Sequence, residues 1–345
     1  MSMEQSICKL VTGHWRDMFP DDEPPDSVTF LKIAGKTTPN AAIIALLFDI
    51  KRRSPVAIAK IPRNPLVTTG IENEYAAMVD IKGSIAAPNV LEHIPFQGML
   101  FEESGVRILI QRAGKGCPMI RFMNSQEFIQ LLYETILPWM FDFHADGARE
   151  CMLEGDVLSR LIKEPIAEFM EQFADLSASL LSPETRQYLL DLPQKIEGRK
   201  INLCRQHGDF NAHNILVEIK KKSVTNFFLV DWEDYRTEQL PVYDLNHFFI
   251  SNARAVGHNL SIEESFANLI LQSGWYRDLY IKAVSEFTKR RLIDHNTFWL
   301  LTPLYLVAMC LRVSEPQRQQ KETAHVWIHR AEQFIKNMSL FLKCE

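Results

Sequence analysis

Between residues 27 and 61 the apolar positions fall in three short runs rich in Val, Ile and Phe: SVTFLKIA, NAAIIALLFDI and SPVAIAKI. Turn chemistry separates them, AGKTTPN at 34–40 and KRRSP at 51–55. Runs of this kind bounded by turn residues predict strands. Residues 71–81, IENEYAAMVDI, read as a helix, and strand-like segments follow at 90–94, 98–103 and 107–112. The segment AGKGCPM at 113–119 then breaks the pattern with Gly and Pro. Beyond it helices are expected at 125–144, 154–181 and 183–192, with several more from 262 onward. One β interruption stands inside this stretch: NILVEI (214–219) and NFFLVD (226–231), joined by KKKSVT, read as a hairpin. The expected class is α+β with segregated elements. It divides into a small β-rich unit at 1–112, a hinge at 113–118, and a mainly helical unit at 119–345 that carries the hairpin.

The 345 residues are long enough for two such units, and 46% hydrophobic with 23% charged residues is the profile of an ordinary globular protein. A net charge of −5 with no large single-sign block gives no footprint for nucleic acid. The one basic cluster, Lys220 to Lys222, reads as a solvated hairpin turn. Six cysteines without a CxxC pair suit neither zinc nor a disulfide framework, so free thiols are expected. MSMEQSICKLVTGHW lacks a basic n-region followed by an apolar h-region. The most apolar stretch, Phe298 to Val313, is short and contains Pro303, so a buried core helix is expected there and no membrane span. Together these features predict a cytoplasmic protein.

The hairpin is flanked by polar residues that composition does not demand. Before it stands His207-Gly208-Asp209-Phe210-Asn211-Ala212-His213-Asn214, and at its far end Asp231-Trp232-Glu233. The spacing His-x-Asp-x-x-x-x-Asn is that of a kinase catalytic loop, in which Asp accepts the hydroxyl proton and Asn holds magnesium. Phosphoryl transfer needs a carboxylate beside the attacking hydroxyl and hard oxygen ligands for Mg²⁺. The bland alternative is a buried His with two turn-forming residues beside a hairpin.

HGDFNAHNILV, LVDWEDYR and PVYDL closely resemble the aminoglycoside phosphotransferase and choline kinase family, which shares the protein-kinase-like fold. The resemblance implies a two-lobed fold with Asp209 as catalytic base, Asn214 and Asp231 as Mg²⁺ ligands, His207 as loop support and Asp244 as a structural buttress. Glu233 sits where relatives carry an acidic residue or Gly, so its role is open. Asn211-Ala212-His213 replaces the common His-Pro-Gly, and no role is assigned to His213. In the first unit, VAIAKI places Lys60 like the lysine that contacts the α- and β-phosphates, with Glu74 as its ion-pair partner and Glu72 as runner-up. RILIQRAGKG corresponds to the segment against which the base lies, with Gln111 to Ala113 offering backbone groups.

Ala34-Gly35-Lys36-Thr37 ends like a P-loop, but the first glycine falls on Phe30 and the residues after it read as strand. The segment 34–40 is therefore expected to be a strand-connecting loop over the phosphates. His144, Trp232 and Trp275 read as core or packing residues. The acidic stretch Asp142, Asp146, Glu150, Glu154 and Asp156 reads as a solvated face, with the lining of an acceptor site as its second reading. The expected activity is transfer of the γ-phosphoryl of ATP, with GTP as the other candidate donor, to a small hydroxyl-bearing molecule. Two alternatives remain open: a metal-dependent phosphoester hydrolase using His207, Asp209, His213 and Asp231, and a non-catalytic nucleotide-binding protein of kinase-like fold.

Overall fold

The structure is a computed structural model and describes residues 2–20, 22–33, 42–51, 54–94, 98–220, 223–257, 260–314 and 321–342. The expected phosphate loop at 34–40 lies outside the described residues. The chain divides into two compact units, Met1–Pro118 with Asn214–Tyr235, and Met119–His213 with Arg236–Glu345.

The first unit is built on a five-stranded antiparallel sheet of β1 (Val28–Ile33), β2 (Ala42–Asp49), β3 (Ser54–Pro62), β4 (Gly98–Glu103) and β5 (Val106–Arg112). The strand order is β1-β2-β3-β5-β4. Side chains alternate between the two faces of a strand. One face carries Ala45, Leu47, Ala57, Ala59, Ile61, Ile108 and Ile110, covered by Ile7, Val11, Trp15 and Met18. The first two belong to the helix Met3–Gly13, which opens on a Ser2–Gln5 capping box. The other face presents Leu109 to Ile71 and Met78 of the helix Thr69–Ser84. The expected strand at 90–94 is instead a helical turn, Pro88–Leu91. Proline at the first helical position has its φ preset for a helix and no N–H to lose.

The hairpin, Ile215–Lys220 and Ser223–Leu229, belongs to this first unit rather than to the helical one. Cys117 and Pro118 add a third strand to it, Cys117 opposite Val217 and Pro118 opposite Leu216. The close approach needs Gly116: its φ is +105°, and a Cβ there would stand 2.2 Å from the Val217 carbonyl oxygen. On the other side Phe227 stacks on His93 at 4.0 Å, and the Leu229 N–H donates to the His93 carbonyl at 2.9 Å. Asn214 and Asp231 thus join the unit that holds Lys60.

The second unit is mainly helical around His295–Ser314, whose Phe298, Trp299, Leu301, Leu304 and Leu306 are buried. Its window His295–Val313 is the stretch, among the described residues, long and apolar enough to cross a membrane, and 72% of it is buried inside the protein. A small sheet absent from the sequence reading pairs Lys200–Gln206 with Arg149–Met152 and Arg236–Gln239. In KINLCRQ the apolar residues are few and lie between Lys200 and Arg205, so pairing on both sides is what makes it a strand.

Candidate active site

In the first unit the alternation of β3 sends Lys60 to the face that meets the helix Thr69–Ser84. On that helix Ile71, Glu74 and Met78 form one buried stripe, so Glu74 is the carboxylate the geometry delivers to Lys60. Lys60 Nζ donates to Glu74 Oε2 at 2.6 Å and to Asp231 Oδ1 at 2.7 Å. The runner-up Glu72 is engaged elsewhere, by the Thr68 hydroxyl at 2.7 Å and by Arg107. Burial alone would lower the pKa of Lys60; Asp231 and Glu74 more than reverse this and leave it raised. One ammonium between two carboxylates leaves a net negative charge. Accordingly burial and Asp231 push Glu74 up, against the pull of Lys60.

Asp231 follows the hairpin with φ +70°, a left-handed conformation that Asp tolerates better than most residues. Its neighbour Trp232 is buried and donates from Nε1 to the Leu229 carbonyl at 3.0 Å. The Val230 N–H donates to the Asn214 carbonyl at 2.9 Å, tying the backbones that carry Asn214 and Asp231. Glu233, whose role the sequence left open, lies against Gly70: a Cβ there would meet Glu233 Oε2 at 2.8 Å.

Two expectations need correction. Gln111 lies inside β5, opposite Gly98 on one side and Ile58 on the other, so its backbone belongs to the sheet. What it contributes is its side chain, whose Nε2 donates to Glu74 Oε1 at 3.3 Å. The Ala113 N–H is likewise taken, by the Val56 carbonyl at 3.2 Å. That N–H, one of the backbone groups expected to face a nucleotide base, instead extends the pairing of β3 and β5.

In the second unit the loop from His207 hangs on Asp244. The carboxylate of Asp244 accepts from the His207 N–H at 2.7 Å, the Gly208 N–H at 2.9 Å and His144 Nε2 at 3.0 Å. His207 Nδ1 accepts the Asp209 N–H at 3.2 Å, and Gly208 holds φ +81°. Phe210 anchors the loop in the core beside Trp139, His207 and Phe248. His207 and Asp244 thus both hydrogen-bond the loop backbone, and His144, read as a core residue, bonds the same Asp244 carboxylate. His213 is exposed, and Trp275, read as packing, is 44% exposed.

Asp209 has two partners that the motif did not name. His247 Nε2 lies 2.9 Å and Arg312 Nη2 3.2 Å from its Oδ1, and Arg312 Nη1 donates to the Gly208 carbonyl at 2.8 Å. Burial opposes ionisation of Asp209, but the His247 hydrogen bond and the charges of His247, Arg312 and His207 hold its pKa well below the usual carboxylate range. Behind His247, Nδ1 meets the Tyr305 hydroxyl at 3.0 Å. A signal for His247 existed: it stands three residues after Asp244, on the same helical face. Arg312 had none beyond being a lone cation ending an apolar run.

Asp244 carries a stability prediction. Burial raises its pKa, yet the His144 bond, the charges of His144 and His207 and the His207 N–H lower it overall. Its contribution is then present above the unfolded aspartate value of about 3.9 and lost as pH falls through the lower folded value. Asp244→Ala strips three donors, two of them buried, of their acceptor and is expected to cost roughly 3–5 kcal/mol. Urea denaturation at pH 7 and pH 3 checks this: the gap between wild type and variant should narrow in acid, and a variant of wild-type stability at pH 7 would remove Asp244 from this role.

No protein-family model matches the chain, and no curated protein matches it in sequence. Solved structures do. A thermostable mutant of the aminoglycoside phosphotransferase APH(4)-Ia, in ternary complex with AMP-PNP and hygromycin B, superposes with a TM-score of 0.54 at 12% identity, covering 95% of this chain and 98% of that one. The GDP complex of wild-type aminoglycoside 2'-phosphotransferase-IIIa gives 0.52 at 14% identity over 99% and 100%. Plasmodium vivax ethanolamine kinase gives 0.51 at 12% identity over 98% and 89%. The chain has the two-lobed kinase-like fold.

The sequence resemblance implies Mg²⁺, and the donors present suit it. Mg²⁺ takes oxygen ligands, usually one or two carboxylates completed by water and nucleotide phosphates. Asn214 and Asp231 offer an amide and a carboxylate oxygen on backbones tied together, and Asp231 is 36% exposed whereas Glu74 is 2% exposed. A self-sufficient metal cage is a different matter. Among the described residues no group of three or more His, Cys, Asp or Glu side chains converges as one.

Proposed function

We propose that this protein is a kinase that moves the γ-phosphoryl group of a nucleoside triphosphate, ATP in the first instance and GTP as the alternative, onto a hydroxyl of a small molecule. The observation that carries the reading is the convergence of Lys60, Glu74 and Asp231, remote in sequence, at 2.6 and 2.7 Å. A buried ammonium held between two carboxylates is poised to exchange one of them for nucleotide phosphate. In this reading Lys60 contacts the α- and β-phosphates and Glu74 orients it, while Gln111 braces Glu74. Asn214 and Asp231 would hold Mg²⁺, which screens the triphosphate charge and stabilises the developing charge of the transferred group. Asp209, kept ionised by His247 and Arg312, orients the acceptor hydroxyl and takes its proton.

The neighbours' names widen the acceptor class rather than narrow it, since they span aminoglycosides and ethanolamine. A nucleoside triphosphate donor and free thiols at Cys8, Cys117, Cys151, Cys204 and Cys310 support a cytoplasmic setting. The test is ADP release from Mg·ATP across a panel of hydroxyl metabolites, run beside Asp209→Asn. Acceptor-dependent ADP formation that the variant loses is the expected result; no such formation with any acceptor or with GTP, or equal rates in the variant, sinks the proposal.

A further inference from the structure

The helices His295–Ser314 and Lys321–Lys336 hold a second cation of unusual setting, Arg330. It is 6% exposed, and no acceptor among the described residues forms an ion pair or hydrogen bond with it. Its Nε is sealed from solvent with nothing to donate to. The guanidinium lies over Trp327 at 4.4 Å and over Phe266 at 5.4 Å from the ring centroids. Ring faces attract a cation but accept none of its five N–H bonds in the way a carboxylate or phosphate does. Burial pulls the pKa of Arg330 down to about 10, only partly offset by Tyr305, the exposed Glu263 and Cys310. It is still a cation at neutral pH. A buried, charged fork whose Nε has no acceptor among the described residues is the arrangement that an incoming anion completes.

The position of Arg330 gives that anion a role. Trp327 meets Tyr305 edge-on at 5.9 Å, and Tyr305 bonds His247, which bonds Asp209. The Tyr305 hydroxyl lies within electrostatic reach of Arg330, Arg312 and Asp209 together. By contrast three members of the acidic stretch whose second reading is the lining of an acceptor site are already paired, Asp142 with Arg290, Asp146 with Arg205 and Glu150 with Lys200.

We infer that Arg330, flanked by Trp327 and Tyr305, receives an anionic group of the acceptor, a carboxylate or a phosphate ester, while Asp209 addresses its hydroxyl. The inference rests on the kinase reading for the hydroxyl, but the anion subsite stands apart from it and is tested without nucleotide. Four small hydroxyl compounds serve as probes in calorimetric titration: D-glycerate and glycerol 3-phosphate, with glycerol and ethanolamine as neutral and cationic controls. At least one of the two anions should bind and neither control should; which anion binds tells carboxylate from phosphate. Arg330→Gln should weaken that binding on the order of ten- to a hundred-fold, the worth of a charge-assisted hydrogen bond.

If Arg330→Gln does not fold, Arg330→Lys carries the test. It keeps the charge, loses the planar fork, and should weaken anion binding by several-fold. Asp209→Asn should retain anion binding even though it loses transfer. A failed kinase reading with an intact anion site is therefore distinguishable from the reverse. Ethanolamine or glycerol binding as tightly as the anions overturns the inference. So does anion binding that survives the Arg330 variants, which would lie elsewhere.

Discussion

Asp209→Asn is expected to lower kcat by about 10²–10⁴-fold while nucleotide affinity stays near wild type. The substitution keeps size and most hydrogen-bond geometry, and the phosphates are assigned to other groups. The surroundings of Asp209 bias the estimate toward the lower part of that range. A carboxylate with its pKa held well below the ordinary value is a weak proton acceptor, so orienting the hydroxyl is the larger share of its task. Phosphoryl transfer through a loose transition state needs that orientation more than early proton removal. The sign of the pH dependence follows. A depressed pKa keeps Asp209 ionised from neutral pH down past the usual carboxylate value of about 3.9, so its protonation sets no acid limb in a rate profile between pH 5 and 8. Single-turnover rates and Mg²⁺ titration on the same variant check the assignment. Slow transfer with intact metal binding supports it, whereas unchanged transfer removes Asp209 from the chemistry.

Much of this site was legible because each part depends on local pattern. The strands β1, β2 and β3 announce themselves by β-branched runs, and their period of two places Lys60 opposite the sheet face that receives Ile7 and Val11. The choice of Glu74 over Glu72 is a matter of helical phase, since only Glu74 shares the stripe of Ile71 and Met78. The loop from His207 to Asn214 carries its chemistry in its spacing.

What was not legible depends on partners distant in the chain. The hairpin reads as an insertion in a helical stretch, and nothing local reveals that Cys117 and Pro118 pair with it. Two residues opposite two others are too short a run for periodicity to register. Lys200–Gln206 failed for a similar reason, because its strand character comes from neighbours on both edges. Ala113 illustrates the converse: the N–H of a backbone expected to face a nucleotide is consumed by the Val56 carbonyl. Arg312 ends an apolar helix and Arg330 lies on the mixed helix KETAHVWIHRAEQFIK, and in both settings the cation reads as a surface residue. Only tertiary packing puts one on Asp209 and buries the other between Trp327 and Phe266.

Lys60→Met should abolish turnover and also weaken the fold, and the two effects can be separated. Loss of the ammonium removes a donor aimed at transition-state charge, which costs on the order of 10²–10³ in rate. It also leaves Glu74, 2% exposed, with Gln111 as the hydrogen-bond partner that remains from the cluster. Breaking a buried pair from one side typically costs about 3–5 kcal/mol, because the surviving charge stays buried. Neutralising that charge should undo the structural part alone. In the double variant Lys60→Met/Glu74→Gln, the carboxylate is replaced by an amide of the same size, so most of the lost stability should return. Turnover should not return, since no cation then faces the phosphates. Denaturation midpoints and ADP release on wild type, both single variants and the double variant give the comparison. Stability recovered without activity assigns Lys60 to the nucleotide and Glu74 to its support. Activity of Lys60→Met within a few-fold of wild type, or activity restored along with stability in the double variant, would mean that Lys60 serves the fold and not the reaction.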